Sequence, residues 1–452
     1  MKGIDPRKIR AIKEREEARY RDQNPRSLEL HKRCSEVMPN GVPNYWISYY
    51  ARPHPTFFKE AHGAAVTDVD GNRRIDFCLG GTAALFGHAN PHVVEAVTDQ
   101  MAHGASPFLP TEDAYYVGLG MKRIFGLPSW QITISASEAN RNAIRLSRML
   151  TRREKILIFN GSYLGAVEDT FATIRGDKVV LAQGIRPNAV DLTHTTRVVE
   201  FNDTDGLEKA LADEKVACVL TEPAVTNRGI VHPKDGFHQS LREVTRRTGT
   251  LLIIDETQCI DAAVGGYSRA ARLEPDMMTM GKPMAGGIPV GLLGMTQPLA
   301  ARVAKEIFAP DSGVDAGMGS TLAGSAIQLK AIRATLEHVM TEKNYEIMLL
   351  RADALQDGME RILKEHGLRW TVTRLGARVE LFGEPRPPIN ITESMNAQDA
   401  DAEFEDCRNL HALNRGIMLS PFGNTAVTCP ALSKEDAELH NRVFGEFIKE
   451  VI

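Results

Sequence analysis

Lys282 is the natural starting point, because an amine held out of water can serve both as nucleophile and as base. It closes the apolar run Met277-Met278-Thr279-Met280-Gly281 and enters a turn containing Pro283, Gly286 and Gly287. Lysine is ordinarily a surface residue. Burial disfavours its ammonium form and frees the amine to attack a carbonyl. Asp255 stands 27 residues earlier, directly after Leu251-Leu252-Ile253-Ile254. Open α/β sheets bind ligands beyond the carboxyl ends of their strands, where this carboxylate would sit. An aspartate there can equally cap the next helix.

Asp255-Glu256 after four apolar residues also fits the acidic strand of a nucleotide hydrolase, which requires G-x-x-x-x-G-K-[ST] upstream. The only Gly-Lys pair, Gly281-Lys282, lies downstream, runs into Pro283 and has Asp276 where the first glycine belongs. That chemistry is excluded. A third segment, Ser135-Ala136-Ser137-Glu138-Ala139-Asn140, follows Ile132-Thr133-Ile134. It opens a stretch in which Ala139, Ala143, Leu146 and Leu150 recur at helical spacing. The N–H groups, dipole and hydroxyls of a helix start suit a phosphate dianion. Ser135 or Ser137 as a plain N-cap is the alternative. A sequestered lysine, a strand-end carboxylate and a phosphate cradle are the three requirements of a pyridoxal 5'-phosphate (PLP) site. The lysine links to the cofactor as a Schiff base and shuttles the α-proton. The carboxylate keeps the ring nitrogen protonated, so that the ring withdraws electrons.

Positioning these groups takes a sheet. Lys155-Ile156-Leu157-Ile158-Phe159, Ala217-Cys218-Val219-Leu220, Leu251 to Ile254 and Gly291-Leu292-Leu293-Gly294 read as buried strands, and Phe237 to Arg247 is compatible with a helix between two of them. Strands alternating with helices predict an α/β layer on a mostly parallel sheet. Asp70-Gly71 between two alternating segments predicts a hairpin. Residues 5–38, rich in Arg, Lys and Glu, read as exposed helices or an arm. The expected domains are an N-terminal arm and part of a small domain at 1–85, a large cofactor domain at 86–330, and a C-terminal small domain at 331–452.

The bulk properties are those of an ordinary globular protein. Of the 452 residues, 54 are basic and 58 acidic, for a formal net charge of −4, which points to no nucleic-acid or membrane-surface partner. Six cysteines without a Cys-x-x-Cys pair lead to an expectation of free thiols and no metal site. The charged N-terminus lacks a signal-peptide core, and no apolar stretch reaches the roughly 20 residues that span a bilayer. A cytoplasmic location is expected.

In this order and spacing, the motifs resemble those of class III (subgroup II) aminotransferases, nearest the branch of glutamate-1-semialdehyde aminomutase and the β-amino-acid and ω-amine transaminases. Asp68-Val69-Asp70-Gly71 with Ile75-Asp76-Phe77 is similar to the family's D-x-D-G-…-D-F. Phe86-Gly87-His88-Ala89-Asn90-Pro91 is similar to G-H-x-[HN]-P, and Ser135 to Asn140 takes the place of S-G-T-E-A-N. Phe159 to Tyr163 resembles G-x-Y-H-G, Glu222 to Asn227 E-P-x-x-x-N, and Gly319 to Gly324 G-T-[FL]-x-G-N-P. The resemblance implies PLP fold type I: a large, mostly parallel seven-stranded sheet domain flanked by helices, plus a smaller α+β domain from both termini. It implies Lys282 as the catalytic residue and Asp255, Ser135, Ala136, Ser137, Tyr163, Glu222, Asn227 and Thr321 as cofactor contacts, Tyr163 by stacking on the ring. It also implies a homodimer with active sites at the interface, in which Thr321 reaches the partner's cofactor.

The departures bear on substrate. The aminomutase binds a carboxylate with an arginine shortly after P-G-G-V. Here Pro39-Asn40-Gly41-Val42 leads into Pro43-Asn44-Tyr45-Trp46-Ile47, with no arginine before Arg52. The β-amino-acid transaminases carry a second arginine near the C-terminus, where this chain reads Ser420-Pro421-Phe422-Gly423-Asn424. Tyr45, Trp46 and Phe422 therefore read as an apolar substrate pocket or as plain core or interface aromatics. Arg52 and Arg378 are possible substitute clamps. The leading expectation is a ping-pong aminotransferase moving an amino group from an amine or amino acid to a 2-oxo acid or aldehyde. The alternatives are an aminomutase or racemase on the same scaffold, or a non-catalytic PLP-binding regulator.

Overall fold

The computed structural model describes residues 4–50, 53–176, 178–182, 191–314, 318–421 and 425–452. The chain forms two compact units, one of Pro91–Tyr345 with Pro388–Met395, the other of Met1–Asn90, Glu346–Pro387 and Asn396–Ile452. A boundary at 330/331 falls inside the larger unit. The helix Ala326–Ala334 runs on into the π-helical turn Thr335–Val339, and Leu336 of that turn lies against Gly120 of the same unit.

The larger unit is built on a seven-stranded sheet in the order Ser129–Thr133, Gly291–Met295, Met277–Met280, Leu251–Asp255, Val216–Thr221, Lys155–Phe159, Thr196–Val199. Gly291–Met295 is antiparallel to both neighbours and every other pairing is parallel, so the mostly parallel seven-stranded expectation holds. Runs such as Val216–Thr221 are buried along their whole length, because helices cover both faces. On one side, Ala139, Ala143, Leu146 and Leu150 of the helix Ala136–Thr151 pack with Ile156, Ile158, Leu220 and Ile253. On the other, Phe237, Leu241 and Val244 of Phe237–Thr248 pack with Leu157, Val219 and Ile254. Alternate strand residues thus enter opposite cores. In the parallel ladder Asp255 lies opposite Thr279, three residues before Lys282.

The smaller unit holds a sheet of Phe58–His62, Ala65–Asp68, Arg73–Asp76 and Ile417–Met418, and another of Thr371–Leu375, Arg378–Phe382 and Thr425–Val427. The Asp70-Gly71 hairpin forms, with Asp68 Oδ1 accepting from the N–H groups of Asp70 and Asn72. The N-terminal segment corrects the expectation of exposed helices. Pro6–Gln23 buries Ile9, Ile12, Glu16 and Tyr20. Glu16 is fully enclosed and accepts from Arg415 Nη1 and Nη2, both at 3.0 Å, from Asn414 Nδ2 at 2.8 Å and from Arg15. Burial alone would raise its carboxyl, but Arg415, Asn414 and Arg15 hold it at about 2. Among the described residues no helix is long and apolar enough to cross a membrane. The six cysteines are free, five of them buried.

Replacing Glu16 with glutamine strips the charge from this cluster and leaves Arg415 underpaired, which should cost about 3 kcal/mol in urea unfolding at pH 7. Because the folded carboxyl titrates far below its ordinary 4.5, the stabilisation is complete above that value and is lost as pH falls towards 2. A wild-type advantage that stays constant from pH 7 down to pH 3 would contradict the assignment.

Candidate active site

Lys282 begins a single 3-10 turn, Lys282–Ala285, and has a left-handed backbone, φ +46°. A non-glycine residue in that region carries strain on the order of 1–3 kcal/mol, which persists where the surroundings over-determine it. The surroundings are visible at Gly281. A Cβ there would lie 2.8 Å from the Val290 carbonyl oxygen and 3.2 Å from both the nitrogen and the Cβ of Ala136. The lysine turn is therefore pressed against the start of the helix Ala136–Thr151.

Two more glycines close on the same helix start. A Cβ on Gly291 would meet the Ser135 carbonyl oxygen at 2.1 Å, and one on Gly165, at φ +85°, would meet Ser137 Oγ at 2.4 Å. Ser135 itself serves the helix, its Oγ accepting from Glu138 N at 3.1 Å. Ser137 Oγ accepts from Ala166 N at 2.9 Å, and its own proton remains to be donated. The N-cap reading thus describes Ser135, and the Ser137 hydroxyl with the first helical N–H groups offers donors of the kind that suit an anion.

Asp255 is buried at the end of its strand. Its Oδ1 accepts from Thr257 N at 2.9 Å and its Oδ2 from Asn140 Nδ2 at 2.7 Å. Each oxygen keeps a further lone pair for a ligand. On the adjacent strand end sits Glu222, whose Oε1 accepts from Thr226 Oγ1 at 2.6 Å and from Asn227 Nδ2 at 3.4 Å. Its Oε2 is buried without a protein partner. Burial pushes the Glu222 carboxyl up to about 7, with the charge of Asp255 adding to the rise and the bonds from Thr226 and Asn227 and the charge of Lys282 opposing it. The two neighbouring carboxyls differ in that Glu222 keeps one oxygen, Oε2, without a protein partner, while both oxygens of Asp255 accept a hydrogen bond. Gln258 Nε2 completes the edge by donating to Asn227 Oδ1 at 3.4 Å.

Tyr163 follows the strand Lys155–Phe159 and is 37% exposed, which leaves part of its ring open to a ligand. Thr321 lies exposed in the turn before the helix Ala326–Ala334. The expected substrate residues belong to the smaller unit. Tyr45 and Trp46 stand edge to face on the short helix Tyr45–Tyr50, exposed at 68% and 41%. Arg378 is buried in its strand, and Arg52 and Phe422 lie outside the described residues. Ile47 and Pro421, from the two segments that lack arginine, line one mostly apolar cavity of about 380 Å³ within that unit. Thr226, Gln258 and Gly165 were not singled out from sequence. Thr226 lies inside the Glu222–Asn227 motif and Gly165 stands where the G-x-Y-H-G pattern has its last glycine, whereas nothing local marks Gln258.

The model of the family "Aminotransferase class-III" matches residues 48–451. The chain belongs to the class III aminotransferases. A crystal structure described as a glutamate-1-semialdehyde aminomutase from Pseudomonas aeruginosa PAO1 shares 43% identity over all of both chains, with a TM-score of 0.97. A lysine-to-alanine variant of the same enzyme has been solved in complex with PMP. A glutamate-1-semialdehyde 2,1-aminomutase of Methanothermobacter thermautotrophicus is 32% identical over 431 residues, covering 94% of this chain and 99% of the relative. An ω-transaminase from Sphaerobacter thermophilus is 26% identical, covering 94% of this chain and 97% of that one, with a TM-score of 0.86.

Class III membership makes this a PLP-dependent enzyme of fold type I. The residues present fit that cofactor. Three glycines keep the helix start clear, Ser137 and the N–H groups suit its phosphate, Asp255 suits its ring nitrogen, and Lys282 is an amine that would suit its aldehyde. Gly165→Ala should weaken PLP binding at least about 10-fold in equilibrium dialysis, equivalent to about 1.4 kcal/mol. Gly176→Ala is the control, since it shares a positive φ but has no atom within 4 Å of its Cβ. Equal PLP retention in the two variants would contradict a cradle set by close packing.

Proposed function

We propose that this chain is a PLP-dependent aminomutase, relocating an amino group within one substrate molecule. The supporting observation is the 43% identity over the full length to a protein named for that reaction, joined by relatives of the same name. Transfer to a separate 2-oxo acid, the leading expectation from sequence, becomes the second reading. It is favoured by one observation: Pro39 to Ile47 carries no arginine. A planar guanidinium that grips a carboxylate bidentately has no ready substitute among apolar groups.

PLP, when bound, supplies an electron sink for negative charge on a substrate carbon. The protein's share is positioning and proton transfer. The Ser137 hydroxyl and the helix-start N–H groups would hold the phosphate, Asp255 would keep a proton on the ring nitrogen and Tyr163 would stack on the ring. Lys282 Nζ would carry a proton between the amino-bearing carbon and the cofactor, and in a mutase it would serve two carbons of one molecule in turn.

The experiment supplies glutamate-1-semialdehyde alone in one arm, and arylalkyl amines or β-amino acids with a 2-oxo acid in the other. The mutase reading expects an isomeric amino acid with no 2-oxo acid present and no carbonyl product released. Stoichiometric release of a carbonyl compound with amination of the 2-oxo acid would favour transamination instead. Lys282→Ala should lower either rate by about 10³-fold or more.

We also infer a homodimer. The larger unit exposes Val94, Met101, Phe108, Leu109, Tyr115 and Leu119 along Pro91–Phe125, more apolar surface than a lone subunit usually leaves in water. Thr321 would reach the partner's cofactor, as in the family. Leu119→Arg combined with Phe108→Arg should shift the light-scattering mass from dimer to monomer. A dimer unaffected by both charges would move the interface elsewhere.

A further inference from the structure

The ring-nitrogen carboxylate is only as useful as its aim, and the structure shows what aims it. Asp255 ends a strand and has one backbone donor, Thr257 N. Its other oxygen is held by Asn140, a fully buried residue 115 positions away on the helix Ala136–Thr151. Asn140 Nδ2 donates both to Asp255 Oδ2 at 2.7 Å and to the Leu164 carbonyl oxygen at 2.9 Å. Those two partners can only accept, so the amide group has one possible orientation. Its Oδ1 then faces the hydroxyl of Thr279, which donates at 2.6 Å. Thr279 is itself fully buried and sits opposite Asp255 in the parallel ladder.

We propose that Asn140 and Thr279 are positioning residues that form a one-way hydrogen-bond relay, Thr279 hydroxyl to Asn140 amide to Asp255 carboxylate, and so tune the hold of Asp255 on the PLP ring nitrogen. Every proton in the relay points towards Asp255, so the carboxylate only receives. Reversing the amide would set its oxygen against a carboxylate and a carbonyl, which buried surroundings make costly. Thr279 lies three residues before Lys282 on the same chain segment, so the relay ties the aim of Asp255 to the strand that delivers the lysine. The proposal rests on Asp255 facing the ring nitrogen, and the test separates the two.

Four variants of the holoenzyme are compared: Thr279→Val, which keeps shape and loses the hydroxyl, Thr279→Ser, which keeps the hydroxyl, Asn140→Ala and Asp255→Ala. Two properties are measured without substrate, the PLP dissociation constant and the pH midpoint of the visible absorbance of the lysine-linked cofactor. Thr279→Val should shift the midpoint and weaken PLP binding about 3-fold, and Asn140→Ala should weaken it about 10-fold, the range set by hydrogen bonds to a charged group. Thr279→Ser should return both values close to wild type. If Asp255→Ala changes both properties while Thr279→Val changes neither, the relay is overturned and the carboxylate assignment survives. Thr279→Ser behaving like Thr279→Val also overturns it, since packing rather than the hydroxyl would then matter. If Asp255→Ala itself changes neither property, the carboxylate assignment fails and the relay with it. Should Asn140→Ala fail to fold, the Thr279 pair decides the question alone.

Discussion

The register of two neighbouring parallel strands is the constraint on which the site depends. Ile253 lies opposite Met277 and Asp255 opposite Thr279, so the carboxylate and the segment leading to Lys282 come off the sheet side by side. A slip of one residue would turn Asp255 and Ile254 to each other's faces, burying a carboxylate among Leu157, Val219 and Phe237. The apolar residues alternating between the two helical layers make that slip expensive. Catalytic geometry is therefore a by-product of core packing rather than an addition to it.

The helix start of Ala136 is the second fixed point, and glycines fix it. Gly165, Gly281 and Gly291 belong to three different segments, yet each has its missing side chain directed at Ser135, Ala136 or Ser137. Close approach of backbone to backbone leaves N–H groups converging without side chains in the way. The lysine at φ +46° follows directly on one of them, since a side chain at Gly281 would meet Val290 and Ala136.

Much of this was legible in the sequence, because the informative signals are local. An apolar run ending in a polar residue marks a strand end, and a Gly-rich turn after a lysine marks a constrained backbone. The mostly parallel sheet, and Asp255, Lys282 and the Ser135 segment as site candidates, come from such signals, whereas the sheet's count of seven strands came only with the family resemblance. What could not be read is what depends on distant partners. Asn140 was visible only as the last letter of a motif, since its contacts lie 115 and 139 residues away. Glu16 sits among arginines and glutamates and looks solvated. Its burial follows from Asn414 and Arg415, almost the whole chain later. The return of Pro388–Met395 to the larger unit has no compositional mark.

That last separation has a consequence for how the molecule is made. Glu16 and its guanidinium partner on Arg415 are 399 residues apart, whereas the larger unit is complete in sequence, apart from a short return, at Tyr345. At ribosomal rates of about 5–20 residues per second, the first helix emerges roughly 20–80 s before the residues that cover its carboxylate. Over that interval Tyr20 can already meet His54 and Thr56, while Glu16 has no partner from the C-terminal segment. The sheet that carries the lysine can assemble while both ends of the smaller unit are still waiting for each other.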